Sequence, residues 1–146
     1  MATSHDVYRQ GLLGLADGDI DWDGATNIAA ILLTAAHTPD LTTHSTFGDV
    51  SAHHVDDADY DPQAVTTRAV ALDNGVVQYT ADDVVFGTEV TISAQYMAFV
   101  VGDPANLQAG DRLISLHDFG EERSSTNATF RVNAPANGWF TLTEAS

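Results

Sequence analysis

The chain contains no cysteine and no lysine. Without cysteine there are no disulfides, no thiolate chemistry and no cysteine-ligated zinc. The absence does not choose a redox compartment. Without lysine a Walker A phosphate loop is excluded. The letters DFG at 118–120 carry no kinase meaning either, since the partner lysine and glycine-rich loop are missing. Long apolar runs are absent as well. IAAILL and YMAFVV are far too short to span a bilayer, so a soluble chain with no membrane insertion is expected. The opening MATSHDVYRQ lacks a basic region followed by an apolar core and is not expected to be a secretory signal. Bases are scarce: Arg9, Arg68, Arg112, Arg123 and Arg131 face 21 acids, 17 of them aspartate. Nucleic acid is therefore not expected as a partner, because phosphate binding needs a basic footprint.

What is present is charge of one sign. A net charge of −16 on 146 residues opposes compaction by self-repulsion in dilute salt. In molar salt the screening length falls to about 3 Å and most of that repulsion disappears. An acidic, lysine-free, alanine- and threonine-rich composition is the one expected of a protein from a salt-accumulating haloarchaeon or its virus. The length suits a single domain over 1–146 that buries roughly two-thirds of its unfolded surface without staples.

Signals for one short N-terminal helix come first, over about residues 4–16. Ser4 is placed to cap it, Tyr8, Leu12 and Leu15 give one apolar stripe, Gly11 and Gly14 weaken it, and Gly18 can end it. Strand signals follow at 26–34, 65–73, 76–80, 83–86, 89–102, 112–120, 127–134 and 138–144. Asn74-Gly75 supplies the positive backbone angles of a tight hairpin turn. The segment 89–102 alternates first and is then continuously apolar, as if it leaves an edge and enters a core. Residues 37–62 read as a long polar excursion with one helical turn near Phe47, and Pro135 and Gly138 bound a turn. With no helix between strands, an all-β fold follows: a β-sandwich, jelly-roll-like, with sheet on sheet.

DGDIDWDG at 17–24 places Asp19, Asp21, Asp23 and Gly24 in the opening positions of an EF-hand loop. The twelfth position, which must supply a bidentate acid, is Ala30 inside an apolar strand. The run is therefore read as an acidic connector, with Ile20 and Trp22 pointing inward at period two. Asp19, Asp21 and Asp23 remain weak candidate metal ligands, for a structural cation at most; no cofactor is expected. His53-His54, with Asp56, Asp57, Asp59 and Asp61, has ligand chemistry. Adjacent strand residues face opposite ways, however, so a solvated acidic loop is the simpler reading. His117-Asp118 resembles a catalytic pair but has no nucleophile elbow to serve. NAT at 127–129 has the form of a glycosylation acceptor. No catalytic residue is assigned and the chain is not expected to be an enzyme.

Four stretches in order, GDIDWDGATNIAAILLTAAHTPDLTTHSTFGDVS (18–51), YTADDVVF (79–86), ISAQYMAFV (92–100) and ISLHDFGEERSSTNATFRV (114–132), together resemble a family of small virion structural proteins of tailed viruses. No single motif is specific; the ordered series is, and it runs over about residues 5–144. The chain departs from the family pattern at DADYDPQAVTTRAV (57–70), where a glycine-rich stretch is expected. The resemblance implies a non-enzymatic decoration subunit or vertex turret on the outer surface of a capsid, here of haloarchaeal-virus character. Its expected partners are the major capsid protein or other virion proteins, and its expected state is a homo-oligomer, a trimer or pentamer. The alternative is a minor tail or fibre protein acting as a receptor- or carbohydrate-binding module, with Trp22, Trp139 and Tyr60 available to stack on sugars. Arg123, expected in the FGEERSS loop, is a candidate for a charge-assisted contact to an acidic neighbour.

Overall fold

The computed structural model describes residues 4–24 and 26–143. Glu144, the expected end of the last strand, lies outside the described residues. The chain runs β1 (Ser4–Val7), α1 (Arg9–Asp17), β2 (Ile28–Leu33), α2 (Phe47–Val50), a 3-10 turn (Ser51–His53), β3 (Gln63–Ala64), β4 (Ala69–Asp73), β5 (Val76–Thr80), β6 (Val84–Val85), β7 (Val90–Val101), β8 (Leu113–Ala128), β9 (Arg131–Val132) and β10 (Phe140–Thr143). It is an all-β fold with a short helix near its start.

All strand pairs are antiparallel. One sheet has the order β1-β8-β7-β2-β3, a second β10-β5-β4, and β6 and β9 form a two-stranded ribbon. The expected hairpin is there, with Asn74 at φ 53° and Gly75 at φ 83° joining β4 to β5.

Period two explains the layering. Ile28, Ala30 and Leu32 of β2, Met97 and Phe99 of β7 and Ile114 of β8 share one apolar cluster with Tyr79 of β5, Phe140 of β10, Trp139, and Phe86 and Phe130 beside the ribbon. The large sheet is thus packed face to face against the small one. On its other face Ile31, Leu33, Tyr96, Ala98, Val100, Leu113 and Leu116 form a second cluster. That face is closed by Tyr8, Val50, Leu41, Phe47 and Leu107, from the helix start, the 34–54 excursion and the 103–111 loop. Strand β7 shows why its pattern changes along its length. Ile92 and Ala94 are buried while Thr91 and Ser93 are exposed, and Tyr96–Val100 are buried throughout because the sheet is covered on both sides there.

Two local expectations are corrected. The helix does not start at Ser4: residues 4–7 pair with β8 from Asp118 to Ser115, and the helix begins at Arg9, with Tyr8 as its N-cap residue. A four-residue strand added to the sheet edge satisfies backbone groups that an isolated first helical turn would leave open. Nor does the helix pack through Leu12, which is exposed. Its buried residues are Gly11 and Gly14. A Cβ on Gly11 would lie 2.5 Å from the Ile114 carbonyl oxygen and 2.8 Å from its Cα. The glycines let the helix backbone sit directly on β8. Gly18 ends the helix at φ 88°, as expected. Strand β8 is longer than the sequence suggested. It carries Arg123, which sits in a strand opposite Ala94 and not in a loop, and the strand expected over 127–134 is divided between the end of β8 and the two residues of β9.

Candidate functional site

The acidic loop between α1 and β2 closes on an arginine. Arg68, just before β4, donates from Nη1 to the Trp22 carbonyl at 2.6 Å. Its Nη2 donates to the Thr26 carbonyl at 2.6 Å and the Gly24 carbonyl at 3.4 Å. Partial burial pulls the guanidinium pKa down, and the carboxylates of Asp21 and Asp23 act in the opposite direction. Asp21 lies folded over Gly24, where any Cβ would collide with its carboxylate, and its backbone N–H donates to Thr26 Oγ1 at 3.0 Å. Asp19 is turned away and pairs with Arg112 at 3.7 Å. The structure therefore does not bring Asp19, Asp21 and Asp23 together. Two of the five arginines are spent on this loop. Ile20 and Trp22 are buried, as the period-two reading expected. The Trp22 indole donates to the Thr80 carbonyl at 3.0 Å, which ties the loop to β5.

The acidic run at 56–61 also has a backbone task. Strand β2 pairs with β7 only from Tyr96 to Val101, so among the described residues no strand lies beside that edge of β7 before Tyr96. Asp59 accepts from Thr91 N at 2.9 Å and Asp57 from Ser93 N at 3.1 Å. The two carboxylates stand in for a missing strand at alternate residues, the spacing at which β N–H groups face one way. His53 and His54 diverge. The His54 ring lies 2.7 Å from the Tyr60 hydroxyl through Nε2, and that hydroxyl accepts from Leu32 N at 3.0 Å. Burial lowers the His54 pKa, with Asp56 acting against it.

His53 turns instead toward a cluster that no sequence motif announced. Its ring lies 5.6 Å from that of His37, which is 5.8 Å from His44 and 5.5 Å from Tyr96. His37 is buried with no hydrogen-bond partner at either ring nitrogen, and His44 Nδ1 is buried without one. Burial first, then repulsion from His44 and His53, lowers the His37 pKa to about 4. The three histidines are seven and nine residues apart, a spacing that signals nothing until the 34–54 excursion folds over the sheet. Among the described residues no group of three or more histidines and acids is arranged to hold a metal ion.

His117 and Asp118 alternate across β8. His117 is buried against Phe99 and Trp139, with Nε2 3.2 Å from Ser115 Oγ, while the Asp118 carboxylate accepts from Gly120 N at 2.8 Å. They do not form a catalytic pair. Trp22, Trp139 and Tyr60 are all core residues, so none offers an open face to a sugar. Tyr60 and Trp22 are held by the hydrogen bonds already described, and the Trp139 ring packs edge-on to Phe99 at 5.2 Å. Asn127, of the NAT tripeptide, is exposed at φ 47° near the end of β8.

Two surface features remain. The first is β4, whose five residues are all exposed and which among the described residues has β5 as its only strand neighbour. Val70 stands opposite Tyr79, which stands opposite Phe140; Leu72 stands opposite Val77, which stands opposite Leu142. Two apolar rows thus cross the small sheet. They begin in or against the core, at buried Phe140 and half-buried Leu142, and end in solvent, with Val70 40% and Leu72 74% exposed. The second is a cleft of about 530 Å³ beside the outer half of β8, walled by Phe119, Phe130 and Trp139 and bordered by Arg123 and Arg131. No helix among the described residues is long and apolar enough to cross a membrane. Comparison with protein-family models, with curated proteins and with solved structures found no match to this chain.

Proposed function

We propose that this chain is a non-enzymatic virion structural protein that decorates, or forms turrets on, the capsid of a tailed virus, and that it assembles there as a homo-oligomer. The ordered series of segments at 18–51, 79–86, 92–100 and 114–132 supports the family. The net charge of −16 supports a high-salt setting, in which opposed carboxylates at a subunit contact are screened. The observation that carries assembly is β4. An edge strand presents unpaired N–H and C=O groups, and proteins commonly guard such edges with lysine, proline or a covering segment. Here Ala69–Asp73 carries a single charge, Asp73, at its end. It also leaves two apolar rows that begin in or against the core to end at exposed Val70 and Leu72. A second copy that adds a strand and covers Leu72 completes both rows. Capsid sites of three-fold or five-fold symmetry favour matching cyclic assemblies. Trp22, Trp139 and Tyr60, the aromatics offered for the tail-fibre alternative, are buried.

The test is the mass of the protein by light scattering in molar KCl, for wild type and for Leu72→Asp. Wild type should run as a cyclic oligomer and Leu72→Asp as a folded monomer, since the side chain is mostly exposed and its loss leaves the fold intact. A wild-type monomer that also ignores capsids lacking it would sink the proposal, as would an oligomer unmoved by charge at both Val70 and Leu72. A map of the intact particle, with density over the head or confined to the tail, separates decoration from the fibre alternative.

A further inference from the structure

The cleft beside β8 is lined against the sign of the molecule's net charge. The chain has 21 acids and five bases, yet no acid lines this cleft and two arginines do. Each arginine is tethered on its outer side, Arg123 to Glu121 at 3.2 Å and Arg131 to Asp83 at 3.3 Å. Arg123 is half-exposed and Glu121 largely exposed, so that pair holds the guanidinium only weakly. The walls are largely apolar and aromatic, with His117, Ser124, Thr129 and Asn133 adding polar groups.

The hydrogen-bond balance of the cleft gives the sign of what it takes. Among the buried side-chain atoms without a partner, the tyrosine hydroxyl and the histidine nitrogens can each donate or accept. The other two, Arg123 Nε and Trp139 Nε1, are donors only. Both belong to residues that line this one cleft. Two buried donors with no acceptor are costly, and what relieves them is an acceptor, best a charged one. A volume of about 530 Å³ is within the range that holds a small organic molecule.

From these observations we infer that the cleft is a binding site for a small organic carboxylate with an apolar or aromatic body, its carboxylate taken by Arg123 and its body held against the edges of Phe119 and Phe130, in the cleft that the buried Trp139 also lines. Arg131, oriented by Asp83, adds a second positive charge at the rim. This site does not depend on the virion reading. It lies on β8 and the 129–135 segment, and the strand proposed to join subunits is β4.

The chain has two tryptophans, and they make the test internally controlled. The Trp22 indole already donates to Thr80, whereas the Trp139 indole has no partner. The full chain, labelled with nitrogen-15 in molar KCl, is titrated with benzoate, phenylacetate, hexanoate, benzamide and inorganic sulfate while both indole N–H resonances are followed. Benzoate or phenylacetate should shift the Trp139 resonance saturably and leave Trp22 in place. Benzamide and sulfate should bind at least about tenfold more weakly, the loss expected when one charge-assisted contact or the apolar body is removed. Arg123→Gln should weaken carboxylate binding by a similar factor with the Trp22 resonance unchanged. No saturable shift with any carboxylate at millimolar concentrations would overturn the inference. So would equal binding of benzoate and benzamide, equal binding of sulfate, or unchanged affinity in Arg123→Gln. Should that variant lose its native spectrum, the benzoate–benzamide contrast in the wild-type protein decides.

Discussion

Replacing Gly11 by alanine separates two physical readings of the same residue. As part of an isolated helix, Gly11 costs about 1 kcal/mol relative to alanine, so the substitution should stabilise. In the folded chain the new Cβ would lie 2.5 Å from Ile114 O, 2.8 Å from Ile114 Cα and 2.9 Å from Leu113 O. Ordinary carbon contacts begin at about 3.5 Å, so helix and strand must separate by about 1 Å. The colliding atoms are backbone of β8, bonded into the large sheet between β1 and β7, and no rotamer change relieves them. Overpacking of this kind costs about 1–3 kcal/mol before helix propensity is credited, and the rigidity of the partner favours the upper end. The net expectation is a loss of about 2 kcal/mol, or a fall in melting temperature of roughly 4–8 °C for a chain of this size. Gly14→Ala is the graded comparison, since its Cβ meets the movable ends of Arg112 and Ile20; its loss should be smaller. Urea denaturation at fixed molar salt measures the free-energy losses, and thermal unfolding measures the melting temperature. An unchanged or raised midpoint for Gly11→Ala would refute the account of how the helix sits on β8.

Arg68→Gln removes the guanidinium that holds the carbonyls of Trp22 and Thr26. A loss of about 2–3 kcal/mol is expected, with faster amide exchange in residues 21–26, because bonds to a charged donor exceed neutral ones. Unchanged exchange would show that the loop stands without it. His37 predicts an acid-side weakness. Its folded pKa, lowered to about 4 by burial and by His44 and His53, lies below the unfolded value of about 6.5. Between those values the unfolded chain takes up a proton that the folded chain refuses, so stability falls as pH drops through the window and levels off beneath it. The ceiling is about 3 kcal/mol. His37→Phe should flatten the curve between those two pH values relative to wild type; parallel curves would remove His37 from the account.

Sequence patterns made much of the fold legible because they are set by near neighbours. Alternation marked β7 up to Ala94, the unbroken apolar run marked the stretch covered on both faces, and Asn74-Gly75 marked its turn by backbone angle alone. The candidate sites were far less legible. Counting from Asp19 to Ala30 excluded a complete EF-hand loop, but nothing local pointed to Arg68, 44 residues beyond Gly24, as the group inside it. Asp57 and Asp59 read as solvated charges until the sheet left the 91–93 edge of β7 without a strand. Arg123 was singled out by scarcity, while the cleft it borders depends on the path of β8 past its expected end.

The sequence by itself determined the charge of the molecule, its lack of thiol and lysine chemistry and its β character, because these follow from residue counts and from periods of two. Only the tertiary structure decided where the few cations go, which histidines meet and which apolar residues stay uncovered. Each of those depends on segments far apart in the chain that come together when the sheets pack, and no local pattern encodes that meeting.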